Sequence, residues 1–175
     1  MSDTPRKILV LGASGLIGRY VTDDLRIKGF ETIGVARKLS ASQRLSASDL
    51  ELPILSMASA ELAQLLRDRA IDVVVNCLGV LQNGPGSDTR AVHRDFVERP
   101  VQAVRDSGRS IRLIHISIPG EAKEHHTAFA ITKRKAERLI AACRISHAIL
   151  RPDLVVAPSP LWRQRYAAGA GGVCF

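Results

Sequence analysis

The sequence predicts an α/β protein with a doubly wound parallel sheet in three layers, in which helices cover both faces of the sheet. Short apolar runs alternate along the chain with amphipathic helical segments, the order that is typical of parallel sheets. Two of the runs, Lys7–Leu11 and Ile71–Gly79, are apolar on both faces, as buried parallel strands are. A glycine-rich turn joins the first run directly to a helix. These observations favour the strand order 3-2-1-4-5-6.

Hydrophobic period and turn residues give six strands and four helices. The strands are predicted at Lys7–Leu11, Glu31–Ala36, Leu52–Leu55, Ile71–Gly79, Ile111–Ile116 and His147–Leu150. The first helix is predicted to begin at Leu16 and end before Gly29, and the second to run from Ala60 to Arg69 with Ser59 as its N-cap. The third ends at Asp106 and has Ser87 or Asp88 as its N-cap, and the fourth runs from Ala128 to Cys143. A glycine- and proline-rich loop is predicted at Leu81–Asp88.

The length of 175 residues is enough for one domain with a sizeable core. After Val156 the chain reads Ala-Pro-Ser-Pro, and Trp162–Phe175 has neither a helical nor a strand period. We therefore expect residues 1–157 to form the domain and residues 158–175 an irregular tail. A truncated reading frame would leave such a tail.

The turn after the first strand, GASGLIG, carries the strongest functional signal. Gly12 would allow the sharp turn, Gly15 would let the backbone approach a pyrophosphate, and Gly18 would let the helix lie close to the strand. The free N–H groups of the first helical turn and the helix dipole favour a phosphate there. An ordinary strand-turn-helix unit is the alternative. The sequence predicts dinucleotide contacts at Gly12, Ala13, Ser14, Gly15, Leu16, Ile17 and Gly18.

Arg37 and Lys38 follow the second strand directly. An NAD-specific site has an acidic residue near this point, which binds the ribose 2′-hydroxyl. A guanidinium would instead bind a 2′-phosphate through charge-assisted hydrogen bonds. The sequence therefore favours NADP(H) over NAD(H), the alternative being a surface Arg-Lys pair at a strand end.

The spacing G-x-x-G-x-x-G resembles the short-chain dehydrogenase/reductase superfamily, particularly its extended and atypical branches. The resemblance implies an NAD(P)-binding Rossmann domain. Members of these branches continue into a small substrate-binding region, which by this resemblance would be short or missing here. In that superfamily an acidic and an apolar residue after the third strand bracket the adenine, and here Ser56-Met57 is preferred to Asp49-Leu50 for that position.

Two further segments carry the resemblance. Asn-Cys-Leu-Gly resembles the N-x-x-G segment that lies along the cofactor, which implies contacts from Asn76, Leu78 and Gly79. A core amide that ties the strand to its neighbour is the alternative for Asn76. The Leu-Arg-Pro ending of the last strand resembles the atypical branch, in which the backbone passes near the nicotinamide, and this implies a contact at Pro152.

The catalytic residues implied by the resemblance are only partly present. Ser117 has the position of the Ser or Thr that binds a substrate carbonyl, although a strand-end cap is the alternative. The pattern Y-x-x-x-K appears as Phe129-x-x-x-Lys133, so a lysine that binds the nicotinamide ribose is kept. Phenylalanine carries no proton, and loss of a general acid typically costs roughly 10²–10⁴ in rate. His125 and His126 are alternative acids or ordinary loop residues.

The combination is most similar to the atypical reductases related to the 39 kDa NADH-ubiquinone oxidoreductase accessory subunit, which often lack the catalytic Tyr. Three functional classes follow: an NADP(H)-binding protein with weak or no classical hydride transfer, an active reductase or epimerase that uses another acid, and an accessory subunit of a respiratory or membrane complex. The substrate, an unknown small molecule, and the oligomeric state stay open.

Composition narrows the remaining partners and the location. The net charge is +8, but the basic residues are scattered and not interleaved with aromatic residues, which argues against nucleic-acid binding. A basic face would suit peripheral contact with an anionic membrane or an acidic partner, but solvated helix faces are the preferred explanation of the basic residues. The three cysteines form no metal-spaced pair, so we expect reduced thiols and no metal site. No signal peptide or membrane span is evident, which predicts a cytoplasmic location.

Overall fold

The computed structural model describes residues 6–40, 46–79, 96–120, 127–153 and 155. Within these ranges six parallel strands form one sheet in the order β3-β2-β1-β4-β5-β6. The strands are β1 (Lys7–Leu11), β2 (Glu31–Ala36), β3 (Leu50–Glu51), β4 (Val73–Asn76), β5 (Arg112–Ile116) and β6 (His147–Leu150). The predicted fold class and strand order are therefore confirmed.

Four helices connect the strands: α1 (Leu16–Ile27), α2 (Ser59–Asp68), α3 (Phe96–Asp106) and α4 (Ala128–Ala142). Because successive side chains of a strand point to opposite faces, each sheet face has its own core. The larger core lies beneath α2, α3 and α4, around Leu9, Val74 and Leu113. The smaller core lies beneath α1, around Val10 and Val75.

The predicted loop at Leu81–Asp88, its two candidate helix caps, the histidines at 125 and 126, and residues 158–175 lie outside the described residues. No helix in the described part of the chain is both long and apolar enough to cross a bilayer.

Predicted element boundaries differ from the structure, most of all in the third strand, at both ends of the fourth strand and at the N-cap of the second helix. The third strand is Leu50–Glu51 and not Leu52–Leu55, because the chain turns at Pro53, whose carbonyl accepts a hydrogen bond from Ser56 N at 2.8 Å. The fourth strand ends at Asn76 instead of Gly79. The second helix has Ala58 as its N-cap rather than Ser59, since the Glu61 carboxylate accepts a hydrogen bond from Ala58 N at 2.7 Å.

Candidate functional site

The glycine turn after β1 is sharp and closely packed. Gly12 has φ +86°, a conformation that glycine adopts without steric cost. The N–H groups of Gly12 and Ala13 donate to Val35 O at 2.9 and 3.0 Å, which fixes the turn to β2. A Cβ on Gly18 would lie 2.1 Å from Gly12 O. Helix α1 can therefore start this close to the strand only because residue 18 has no side chain.

The N-terminus of α1 opens beside this turn without a side-chain cap. Gly15 is the N-cap residue and provides no side-chain cap hydrogen bond, and the first turn of the helix lacks acidic residues. The first N–H groups of any α-helix have no partner within the helix, and here they belong to Leu16, Ile17 and Gly18. Ser14, Gly15 and Leu16 are exposed. The site therefore has the free donors and the access that a phosphate requires.

At the end of β2 the predicted basic pair is present at the surface. Arg37 and Lys38 are both exposed, at the same sheet edge as the glycine turn. Sequence reasoning missed Glu51, which pairs with Ala36 across β2 and β3. Its carboxylate accepts a hydrogen bond from Leu39 N at 3.0 Å. An acidic side chain therefore lies beside the two basic residues, at a position that the misplaced third strand concealed.

The two pairs considered for the adenine have different surroundings. The Asp49 carboxylate is 1% exposed, forms an ion pair with Arg26 and accepts a hydrogen bond from Gly34 N at 2.7 Å. Asp49 therefore fastens β2 to α1 from inside the protein. Ser56 is exposed and Met57 half-buried, and their contact with an adenine stays a prediction.

Asn76 lies inside the sheet instead of at its surface. The side chain is buried, its Nδ2 lies 3.2 Å from His115 Nδ1, and its Oδ1 accepts a hydrogen bond from Leu78 N at 3.1 Å. These contacts make it the core amide that ties β4 to β5. Leu78 itself lies against the glycine turn, since a Cβ on Gly12 would be 3.1 Å from Leu78 Cδ2. Gly79 is exposed at the next position.

Lys133 projects from α4 into the interior, where it is 4% exposed. Its Nζ donates to Ile116 O at 2.8 Å and, more weakly, to Leu78 O at 3.4 Å. Burial lowers the pKa of Lys133 to about 8, against the opposing influence of Cys77 and Glu137. Burial likewise raises the pKa of the Cys77 thiol to about 12. An ammonium has three N–H donors, and within the described part of the chain these two carbonyls accept from two of them.

Ser117, the residue after β5, directly follows Ile116, whose carbonyl accepts the hydrogen bond from Lys133. It is 5% exposed, and its N–H donates to Leu150 O at 2.7 Å, which joins the ends of β5 and β6. The hydroxyl faces the Glu137 carboxylate without hydrogen-bond geometry, and Oγ has no other partner in the described ranges. A buried hydroxyl without a full partner is unusual in proteins and suits a ligand-binding role.

Glu137 is the centre of a buried ion cluster that sequence reasoning missed. Arg134 Nη1 donates to both of its carboxylate oxygens at 2.8 Å. Arg151 donates to them through Nε at 3.0 Å and Nη2 at 2.9 Å. Burial alone would raise the pKa of Glu137, but Arg151, the Ser117 hydroxyl and Arg134 outweigh it and lower the pKa to about 2. The carboxylate is therefore charged at neutral pH. Its signal in the sequence is a glutamate one helical turn after Lys133.

Phe129 lies in the first turn of α4 and is half-buried. It precedes Lys133 by four residues, so the two share a helix face. The ring has no hydroxyl, and the predicted loss of a proton donor at this point rests on that chemistry alone.

An apolar groove of about 520 Å³ separates α1 from the ends of β5 and β6. Two residues predicted to contact the cofactor, Ile17 and Pro152, lie on its opposite sides. Its remaining walls come from Tyr20, Val21, Ile116, Ile149, Leu150, Arg151 and Val155. The groove therefore connects the α1 N-terminus with the Leu-Arg-Pro segment.

The residues fit a dinucleotide: a helix N-terminus without a side-chain cap for phosphate, a turn that a Cβ at residue 18 would fill, and a buried Ser117 hydroxyl without a full hydrogen-bond partner in the described ranges. Strand ends bring the glycine turn and Leu78 to one edge of the sheet, and Lys133 of α4 reaches Leu78 O there. Asn76 is the exception, since its polar groups are bonded within the protein.

Comparison with known proteins shows the family. The sequence profile of the NAD dependent epimerase/dehydratase family matches residues 8–168. A dTDP-6-deoxy-L-talose 4-dehydrogenase (NAD(P)(+)) from Kitasatospora kifunensis is 32% identical over 115 residues, which cover 64% of this chain and 35% of that protein.

Solved structures agree with the fold. The Bordetella bronchiseptica enzyme WbmH, in complex with NAD+, has a TM-score of 0.73 and 18% identity, covering 95% of this chain and 64% of that one. The UDP-glucose 4-epimerase of Thermotoga maritima, with UDP-glucose, has a TM-score of 0.66 and 17% identity, covering 83% of this chain and 54% of that one. The chain spans about a third of the dehydrogenase and less than two thirds of either enzyme. It belongs to the NAD dependent epimerase/dehydratase family, with a Rossmann-like NAD-binding fold.

Proposed function

We propose that this chain binds NADP(H) in preference to NAD(H) and performs little classical hydride transfer. The uncapped, exposed N-terminus of α1 beside the glycine turn carries the proposal of dinucleotide binding. The family and its NAD-bound relatives support the same cofactor class.

Different residues of the chain would bind different parts of the cofactor. The N–H groups of Leu16 and Ile17 would bind the pyrophosphate. Lys133 would donate to the nicotinamide ribose, while Ile17 and Pro152 would enclose the nicotinamide in the apolar groove. When bound, a nicotinamide supplies or accepts a hydride. Residues 1–157 would constitute the binding domain, with adenine contacts at Ser56 and Met57.

The preference for NADP(H) rests on charge at the end of β2. Two exposed cations, Arg37 and Lys38, can bind a 2′-phosphate in charge-assisted hydrogen bonds worth roughly 1.5–3 kcal/mol each. Glu51 lies beside them, and its carboxylate is engaged with Leu39 N. We infer that the two cations outweigh this single acid.

Titrating the chain with NADPH and with NADH tests both parts of the proposal. Arg37→Asp should weaken NADPH binding about 10- to 100-fold and leave NADH binding nearly unchanged. Arg112→Asp is the matched control, because Arg112 is an exposed arginine at the opposite end of the sheet. A folded wild type that binds neither nucleotide overturns the cofactor assignment. Equal losses of both nucleotides in Arg37→Asp overturn the NADP(H) preference.

An active reductase or epimerase is the second candidate. It is favoured by the buried Ser117 hydroxyl and by the Lys133 ammonium, whose pKa is about 8. A small molecule such as a nucleotide sugar, the substrate class named for the Thermotoga maritima enzyme, would then lie against the groove. Cofactor oxidation with a carbonyl substrate would establish this function.

The narrower grouping with the 39 kDa accessory subunit, together with peripheral membrane or complex association, is a further proposal. Its support is Phe129 in the tyrosine position, the Leu-Arg-Pro segment and the net charge of +8. Co-sedimentation with membranes tests it.

A further inference from the structure

The ion cluster around Glu137 holds two segments that lie next to Ser117: the loop that follows it and the end of β6. Arg134, which is 5% exposed, bonds the glutamate through Nη1 and the carbonyls of Pro119 and Gly120 through Nη2. The loop that follows Ser117 is thereby fastened to α4. Arg151 fastens the end of β6 to the same carboxylate.

Glu137 also lies one helical turn after Lys133, on the same face of α4. Both side chains are buried, 6% and 4% exposed. In a poorly hydrated interior, a carboxylate one helical turn away on the same face favours the protonated form of the lysine amine. The segment that the cluster fastens begins at Ser117, directly after Ile116. The carbonyl of Ile116 accepts a hydrogen bond from Lys133 Nζ at 2.8 Å.

We propose that Glu137 is a positioning residue of the nucleotide site, which fixes the segment around Ser117 and keeps buried Lys133 in its ammonium form for the ribose of the bound nucleotide. The inference rests on the proposed dinucleotide binding, and it is independent of the choice between NADP(H) and NAD(H).

The titratable and charged groups around Lys133 come from each neighbouring element. The end of β4 supplies Cys77, whose pKa of about 12 leaves it an uncharged thiol at neutral pH. Strand β5 supplies His115, on the same face as Ser117, and α4 supplies Arg134 and Glu137. Arg151 lies behind the glutamate, at the end of β6. Among the residues that the structure describes, Glu137 is the one carboxylate of this group. After burial, which lowers the pKa of Lys133, Cys77 and then Glu137 raise it.

The test follows NADH binding as a function of pH, since NADH has no 2′-phosphate that would titrate as well. In the wild type the affinity should fall as the pH rises through the pKa of Lys133, about 8, because the neutral amine has lost a donor. Glu137→Gln should move this midpoint down by roughly half a unit or more and weaken binding about threefold at a pH of about 8.5, above both midpoints. A retained affinity with an unmoved midpoint overturns the proposal.

A second variant keeps the test decisive if Glu137→Gln does not fold. Arg151 is half-exposed, and Arg151→Met removes positive charge that partly cancels the field of Glu137 at Lys133. Its midpoint should therefore move up, and an unmoved or lower midpoint overturns the proposal. A merely structural role would give no such opposite shifts.

Glu98→Gln, an exposed glutamate of α3, is the matched control and should match the wild type. Absence of NADH and NADPH binding in the folded wild type would instead overturn the proposed function. The two failures are therefore distinguishable.

Discussion

At the scale of single residues, Gly15 and Gly18 have different roles although they lie only three positions apart. A Cβ on Gly15 would meet Gly12 O at 3.3 Å, whereas one on Gly18 would meet the same atom at 2.1 Å. Gly15→Ala should therefore fold with a melting temperature close to that of the wild type, yet lose nucleotide affinity about tenfold or more where the added methyl meets a phosphate. Thermal unfolding and nucleotide titration measure the two effects.

Gly18→Ala is the matched comparison for that variant. The new methyl would force α1 away from the turn, and such overpacking typically costs about 1–3 kcal/mol or more. A normal melting temperature in Gly18→Ala, or full nucleotide affinity in Gly15→Ala, would contradict the roles given to the two glycines.

The glycine turn could be predicted from sequence because its signal, three spaced glycines between a strand and a helix, is local. The hydrogen bonds from Gly12 and Ala13 to Val35 O do not follow from that pattern. The cluster of Glu137, Arg134 and Arg151 could not, although the two arginines lie only three and fourteen residues from the glutamate. Arg151 reaches it because β6 lies next to β5, which no local pattern reveals. Asn76 shows the same limit, since its partner His115 is on the neighbouring strand.

At the scale of elements, α4 is fixed to the sheet by charge as well as by apolar packing. The pKa of Glu137 is lowered from 4.5 to about 2, so the cluster stabilises the fold fully above pH about 4.5, and this contribution is lost as the pH falls from 4.5 towards 2. The loss should approach about 3 kcal/mol for such a shift. Urea unfolding at a series of pH values between these limits would measure it.

Glu137→Gln should be less stable at neutral pH and should lose less stability on acidification than the wild type does. The exposed glutamate of the control variant Glu98→Gln should leave the slope unaltered. Equal slopes in wild type and Glu137→Gln would mean that other carboxylates govern acid unfolding.

The bounds of β1, β2 and β6 occur as predicted, whereas the predicted third strand and the predicted cap of the second helix were wrong because other hydrogen bonds form there. The run from Leu52 to Leu55 has the composition of a strand, but Pro53 lacks an N–H donor and supports a turn. Ser59 has the residue type of an N-cap, but Glu61 bonds the backbone one residue earlier. In both cases the hydrogen bonds actually formed decided the boundary.

At the scale of the whole molecule, strand order follows from alternating strands and helices with right-handed crossovers, so it was predictable. The number of helices on each face of the sheet was not predictable in this way. In the described ranges α2, α3 and α4 cover one face, and α1 alone lies on the other. Tyr20 and Leu150 border the resulting groove and are 41% and 49% exposed.

Stability should therefore be concentrated on the face beneath α2, α3 and α4. Leu113 in β5 is fully buried there, and Leu150 in β6 points to the groove side. Leu113→Ala should cost about 2–5 kcal/mol because it leaves a cavity in a close-packed core. Leu150→Ala should cost less than about 1 kcal/mol, since its side chain is already half in water. Urea unfolding of both variants under one condition gives the comparison. Similar losses would mean that the groove side is packed as tightly as the core, and the groove could then not admit a nicotinamide.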